Sequence, residues 1–313
     1  MIKMMSKRML WVLAAAFAVL SSCAPKTSAP SSKAAKVVAA MQDPASNYVI
    51  VISHRGDWRN YPENSLGAIE SVIRMGVDIV EIDLKLTKDS VLVLSHDRTC
   101  NRMTTGKGDI STMTYDSLAT FNLKTAHNVA IPGTRITTLR EALETCKDRI
   151  VINVDQGYQY YDLVVKLTDE LEMTDQILIK GKKARELVAR EMVGSQMMYM
   201  PIIDCQKPGG QALFKQYEDH YAQTGEKPLA YEVCFGELDD EARSCCRKVV
   251  EQGARLWLNT LWASLCGGYD DDAAFNGNPD EVYGTILDLG ASMIQTDRPQ
   301  LLIGWLEKQG RRK

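Results

Sequence analysis

The residues most able to do chemistry lie within about a hundred positions of one another. Two of the four histidines stand just beyond short apolar runs: His54, followed by Arg55 and Gly56, and His96, followed by Asp97. An imidazole titrates near neutrality, so two of them can exchange proton-donor and proton-acceptor roles across one reacting centre. Between them lies Glu81-x-Asp83, and Asp155 follows at the end of a later apolar run. Carboxylate oxygens of this kind suit Mg²⁺ or Ca²⁺. Taken singly, each signal has a plainer reading. A strand-end histidine is more often a hydrogen-bonded structural residue, and Glu-x-Asp on its own suits a solvated strand face.

The elements that carry these residues decide between the readings. Eight β-rich runs recur: 48–54, 78–84, 149–155, 176–181, 196–204, 229–235, 255–261 and 291–297. Amphipathic stretches such as 65–75, 160–171, 182–193, 238–252 and 279–289 lie between them. Eight strands alternating with helices predict an α/β fold, a (β/α)8 TIM barrel, over an open doubly wound sheet. No Gly-rich dinucleotide fingerprint supports the open sheet. Val91–Leu94 reads as an extra strand, and residues of about 97–141 lack periodicity. They predict an insertion after the second barrel strand, lying over one end of the barrel. Successive strand residues face opposite ways. With Val80, Ile82 and Leu84 packed on outer helices, Glu81 and Asp83 point into the barrel near its C-terminal mouth. The same parity sends Val151, Asn153 and Asp155 inward, and also Lys180, Glu232, Asn259 and Gln295. Converging charges are costly to bury unless they are paired or metal-bound.

The 313 residues, 45% hydrophobic with a net charge of −3, suffice for one such barrel. That charge argues against a nucleic-acid groove. The first 23 residues read as a signal segment: Lys3, Lys7 and Arg8, then an apolar run, then Leu20-Ser21-Ser22-Cys23. This segment resembles a bacterial lipobox. It implies lipidation at Cys23, export, and attachment to a membrane of the cell envelope. Residues 24–46 predict a flexible tether and 47–313 the barrel domain. The seven later cysteines form no C-x-x-C pair and read as buried small hydrophobes.

In order, the motifs are His54-Arg55-Gly56, Pro62-Glu63-Asn64-Ser65, Glu81 through Asp89, His96-Asp97, Thr104 through Gly108, Thr138 through Leu143, and Thr296-Asp297-Arg298-Pro299. This series resembles the glycerophosphodiester phosphodiesterase family, in its lipoprotein form, over residues of about 48–308. The resemblance implies hydrolysis of a phosphodiester to glycerol phosphate and an alcohol. It implies His54 and His96 as acid and base, and Arg55 on the phosphate. Glu81, Asp83 and Asp155 would be the ligands of one divalent cation. A cation and a guanidinium fork suit a diester monoanion that gains charge in its transition state. A cyclic-phosphate-forming lyase and a non-catalytic barrel binding sugar phosphates or glycans are the alternatives. Glu63, which also shapes the first loop, and Trp257, which equally suits core packing, are candidate substrate contacts. The family commonly has a lysine two residues after the third acidic ligand, where this chain has Gly157. Lys180, inward on the next strand, is expected to replace it. The Asp270-Asp271-Asp272 run reads as a solvated loop.

Overall fold

The computed structural model describes residues 32–312 apart from 44 and 156. Among the described residues, alternating apolar runs build nine strands: β1 (Ile50–Ser53), β2 (Ile79–Leu86), β3 (Leu92–Leu94), β4 (Val151–Asp155), β5 (Ile177–Gly181), β6 (Met198–Asp204), β7 (Ala230–Cys234), β8 (Arg255–Asn259) and β9 (Ala291–Thr296). Eight of them pair in parallel in the order β1-β9-β8-β7-β6-β5-β4-β2, and β1 pairs with β2 to close the barrel. The expected (β/α)8 TIM barrel is therefore the fold.

Side-chain parity divides the core in two. Val80, Ile82, Leu84, Ile150, Ile152 and Val154 pack outward beneath the helices. Ile79, Val151, Leu178, Met200, Trp257 and Met293 fill the barrel interior. β3 runs antiparallel to the end of β2 and opens the insertion. A small core of its own, including Val93, Cys100, Ile110, Leu118, Leu123 and Ile136, holds the insertion together. All seven described cysteines are buried.

Residues 33–42 depart from the expected tether. They form a helix whose Ala34, Val37 and Met41 seal the barrel interior from below. Alanine-rich composition resembles a linker, but alanine is also the strongest helix former, and these apolar residues share one face. Arg255 fixes the end of this helix. Its guanidinium donates to the carbonyls of Ala40, Met41, Asp43 and Tyr48, matching a cation to the negative helix terminus. The signal segment and Cys23 lie outside the described residues.

Candidate active site

The turn after β1 is built for close approach. Arg55 and Gly56 both adopt left-handed backbone, with φ of 52° and 71°. A Cβ at Gly56 would lie 2.9 Å from the Ala68 side chain. This turn aims the Arg55 amide at Glu81 Oε2, 2.9 Å away. Ser65 then caps the helix Leu66–Met75 by accepting from the Ala68 amide. Asn64, just before the cap, donates to Asp83 Oδ2 at 2.9 Å and accepts from the Asp83 amide at 3.1 Å. Part of the Pro62–Ser65 motif is thus scaffolding for an acidic residue of β2.

Glu81, Asp83 and Asp155 each bring a carboxylate oxygen to within 4.8 Å of the others. Asp83 is opposite Asp155 in the parallel register of β2 and β4. Glu81 and Asp83 are almost fully buried. Burial, and next the Asp83 charge, push the Glu81 carboxyl well above its ordinary range. Such crowding of acids is what a divalent cation relieves, and an all-oxygen set fits Mg²⁺ or Ca²⁺. Arg55 Nε lies 3.2 Å from Asp83 Oδ2 but lacks hydrogen-bonding geometry, so among the described residues it is a buried donor without an acceptor.

His54 Nδ1 meets Asp297 Oδ1 at 2.8 Å. An ionised carboxylate can only accept. In the neutral imidazole Nδ1 therefore carries the proton and Nε2 keeps its lone pair. Trp58 Nε1 and the Asp297 amide complete the setting: the indole donates to Asp297 Oδ1 at 2.6 Å, and the amide donates to Asp271 Oδ2 at 2.6 Å. The more exposed His96 makes the same kind of contact with Asp97 at 3.0 Å. Arg102 joins Asp97 to Glu63, and Glu63 reaches Arg55 Nη1 at 3.2 Å. The Arg102 hydrogen bonds hold the Asp97 carboxyl down at about 2. A cleft of about 760 Å³ opens beside His54, Arg55, Glu63 and Asp297, with Trp58 and Trp262 on its border.

Lys180 points inward as expected. Its Nζ lies 3.1 Å from Glu232 Oε2, 3.9 Å from Asp155 Oδ1 and 3.4 Å from Gln295 Oε1. Burial favours the neutral amine, but Glu232, Asp155 and Glu81 hold the ammonium above its ordinary value. Glu232 is its main partner, which parity alone did not reveal. Gly157 has no room for the family lysine, because a Cβ there would meet Val154 at 2.7 Å.

Two expectations need correction. Trp257 does not border the cleft. It is fully buried in the barrel interior, donates to Asn259 Oδ1 at 2.8 Å, and sets its ring 5.4 Å from the Lys180 ammonium. Trp262, 46% exposed, occupies the rim instead. Nor is Asp270–Asp272 a solvated loop. Asp270 caps a short helix, and Asp272 pairs with Arg59 and Arg298. Asp271 is buried, with Thr260, Thr296 and Tyr283 hydroxyls donating to it. Asp297 and Asp271 had no chemical signal of their own in the sequence; only the Thr296–Pro299 match pointed to Asp297.

With this geometry in place, comparison with known proteins shows what the chain is similar to. Residues 54–196 match the glycerophosphoryl diester phosphodiesterase family. Over those residues the chain is similar to that family. The match spans β2, β3, β4 and β5 and includes both histidines and all three acids. Residues 199–306 match a domain of unknown function, so the family's own match is narrower than the expected 48–308. The second half nevertheless supplies four strands of the same closed barrel. A glycerophosphodiester phosphodiesterase of Caldanaerobacter subterraneus is 31% identical over 139 residues, 42% of this chain and 57% of that protein. Glycerophosphodiester phosphodiesterase 1 of Rattus norvegicus is 39% identical over 100 residues, 31% of this chain and 30% of that protein. The matched stretch is thus well short of these relatives' length. Among solved structures, a family member from Parabacteroides distasonis superposes with a TM-score of 0.70 at 24% identity, covering 88% of this chain and 92% of that one. An Oleispira antarctica phosphodiesterase, solved with sn-glycerol-3-phosphate, superposes with a TM-score of 0.60 at 16% identity, covering 82% and 96%. At these identities the likeness establishes the fold.

Proposed function

We propose that this chain hydrolyses glycerophosphodiesters to glycerol phosphate and an alcohol. The observation that carries the reading is the convergence of Glu81, Asp83 and Asp155 at the barrel mouth that also holds His54 and Arg55. These acids would hold one Mg²⁺ or Ca²⁺, which when bound supplies positive charge to the phosphoryl oxygens. Arg55 spans the two parts of the site: its amide contacts Glu81 and its side chain borders the cleft. The unsatisfied Nε suits a phosphate oxygen as acceptor.

His54 and His96 are assigned the proton transfers. Asp297 and Asp97 hold the two Nδ1 atoms, leaving each Nε2 to take or give a proton. One removes a proton from the attacking water as its oxygen bonds to phosphorus, and the other protonates the departing alkoxide as its P–O bond breaks. Lys180 is assigned to balance the acids from the adjacent strand, in place of the lysine absent at Gly157. Glu63 is assigned to orient Arg55. The chain is further proposed to be exported and anchored through Cys23 in a bacterial envelope membrane; Cys23→Ala should move the protein from the membrane fraction to the soluble fraction. The activity itself is tested by phosphorus NMR of a glycerophosphodiester incubated with the protein and Mg²⁺ or Ca²⁺. Glycerol phosphate and free alcohol are expected, and an unchanged diester with both metals would overturn the assignment.

A further inference from the structure

The cleft has a second wall that the proposed chemistry does not use. The insertion supplies it through Asn101, Lys124 and Asn128, while Trp58 and Trp262 border the cleft from the barrel loops. Lys124 Nζ donates to the Asn101 carbonyl at 2.9 Å and, among the described residues, has no carboxylate within ion-pair distance. Asn101 Oδ1 accepts from the Gly108 amide at 2.8 Å, which leaves its NH₂ as a donor. This wall therefore presents an uncompensated ammonium and an amide donor.

The carboxylates that would receive a cationic group are already engaged. Glu63 is ion-paired to Arg55 and Arg102, and Asp297 is bonded to His54 and Trp58. The Arg59 guanidinium lies 4.8 Å from the Trp58 ring centroid, so that π surface already has its cation. Trp262 remains as an exposed aromatic, edge-on to His54 at 6.0 Å between centroids. A quaternary ammonium is recognised by open aromatic faces or free carboxylates. A polyol is recognised by donors to its oxygens and by an aromatic surface for its C–H face.

Resting on the phosphodiesterase reading, we propose that the insertion wall is a head-group subsite for a polyhydroxyl or anionic alcohol, with Lys124 as its specificity-determining residue. Hydroxyl or anionic oxygens of the head group accept from Lys124 and Asn101, and its carbon face lies against Trp262.

The test compares kcat/KM for two glycerophosphodiesters, one of a cyclitol and one of choline. The wild type should favour the cyclitol ester by about tenfold or more, the scale of one charged hydrogen bond. Lys124→Glu should cut that ratio by about tenfold, chiefly through KM for the cyclitol ester. Lys124→Gln should give an intermediate ratio, and Lys124→Arg should keep most of it. A wild-type ratio near or below one, or a ratio that Lys124→Glu and Lys124→Gln both leave unmoved, would overturn the subsite. Absence of turnover on both esters is a different result: it overturns the phosphodiesterase reading and the subsite with it.

Discussion

A carboxylate at Nδ1 of each histidine leaves Nε2 as the atom that can work, and the consequences are measurable residue by residue. His54→Ala and His96→Ala should each lower turnover by at least about 10²-fold, the usual scale for a general acid or base. The double variant should lose less than the product of the single losses, because the two act as a unit. Near-native turnover of either variant on a diester with a poor leaving group would remove that residue from the chemistry. Lys180 is a quieter case, since it is buried against Glu232 and touches Asp155 at ion-pair distance. Lys180→Met should cost about tenfold in turnover, equivalent to about 1.4 kcal/mol, while an unchanged rate would mean that the charge is not used. Strand parity made Glu81, Asp83, Asp155 and Lys180 legible before any coordinates, because it fixes which side of a strand a residue faces; His54 was legible from its motif at a strand end. It does not fix height. Trp257 shares its face with Asn259 but lies one inward position deeper, opposite Glu232 and Met293, and so belongs to the barrel interior and not to the mouth.

At the scale of elements, two short devices connect the barrel to the site. The left-handed turn at Arg55 and Gly56 joins β1 to the acids of β2. Gly56→Ala must accept a contact of 2.9 Å and an unfavourable φ, so we expect a stability loss of at least about 1–2 kcal/mol with reduced activity, measured by urea unfolding and product release. A variant with wild-type stability and rate would show that the turn tolerates a side chain. At the opposite end, Arg255 satisfies four carbonyls around the end of the helix 33–42. Arg255→Met should lower stability by about 2–4 kcal/mol, through carbonyls left without donors in a buried site. Thermal unfolding with no shift would contradict this anchoring role. The barrel strands were readable because their apolar alternation is local. The 33–42 helix was not, because its composition suits both a linker and a helix, and only its contact with the barrel floor separates the two.

For the whole molecule, the second half of the chain closes the barrel and returns to the first histidine through Asp271 and Asp297. Burial raises the Asp271 carboxyl to about 6 despite the hydrogen bonds donated to it. In the folded state it therefore keeps its proton between an unfolded value near 4 and about 6. Its stabilising effect is complete below the unfolded value and is lost as pH rises through that window, by up to about 3 kcal/mol from this group alone. Urea unfolding across that range should show this fall in the wild type and a flatter profile in Asp271→Asn; parallel profiles would contradict it. The central claim is that the three acids hold a cation required for diester cleavage at the histidine-bearing mouth. The most direct measurement is glycerol phosphate release by the wild type and Asp83→Ala after chelation and after return of Mg²⁺ or Ca²⁺. The account predicts wild-type turnover that disappears with chelator and returns with metal, and a folded Asp83→Ala protein that stays inactive in both conditions. Full wild-type turnover in chelator, or full turnover by Asp83→Ala, would contradict it.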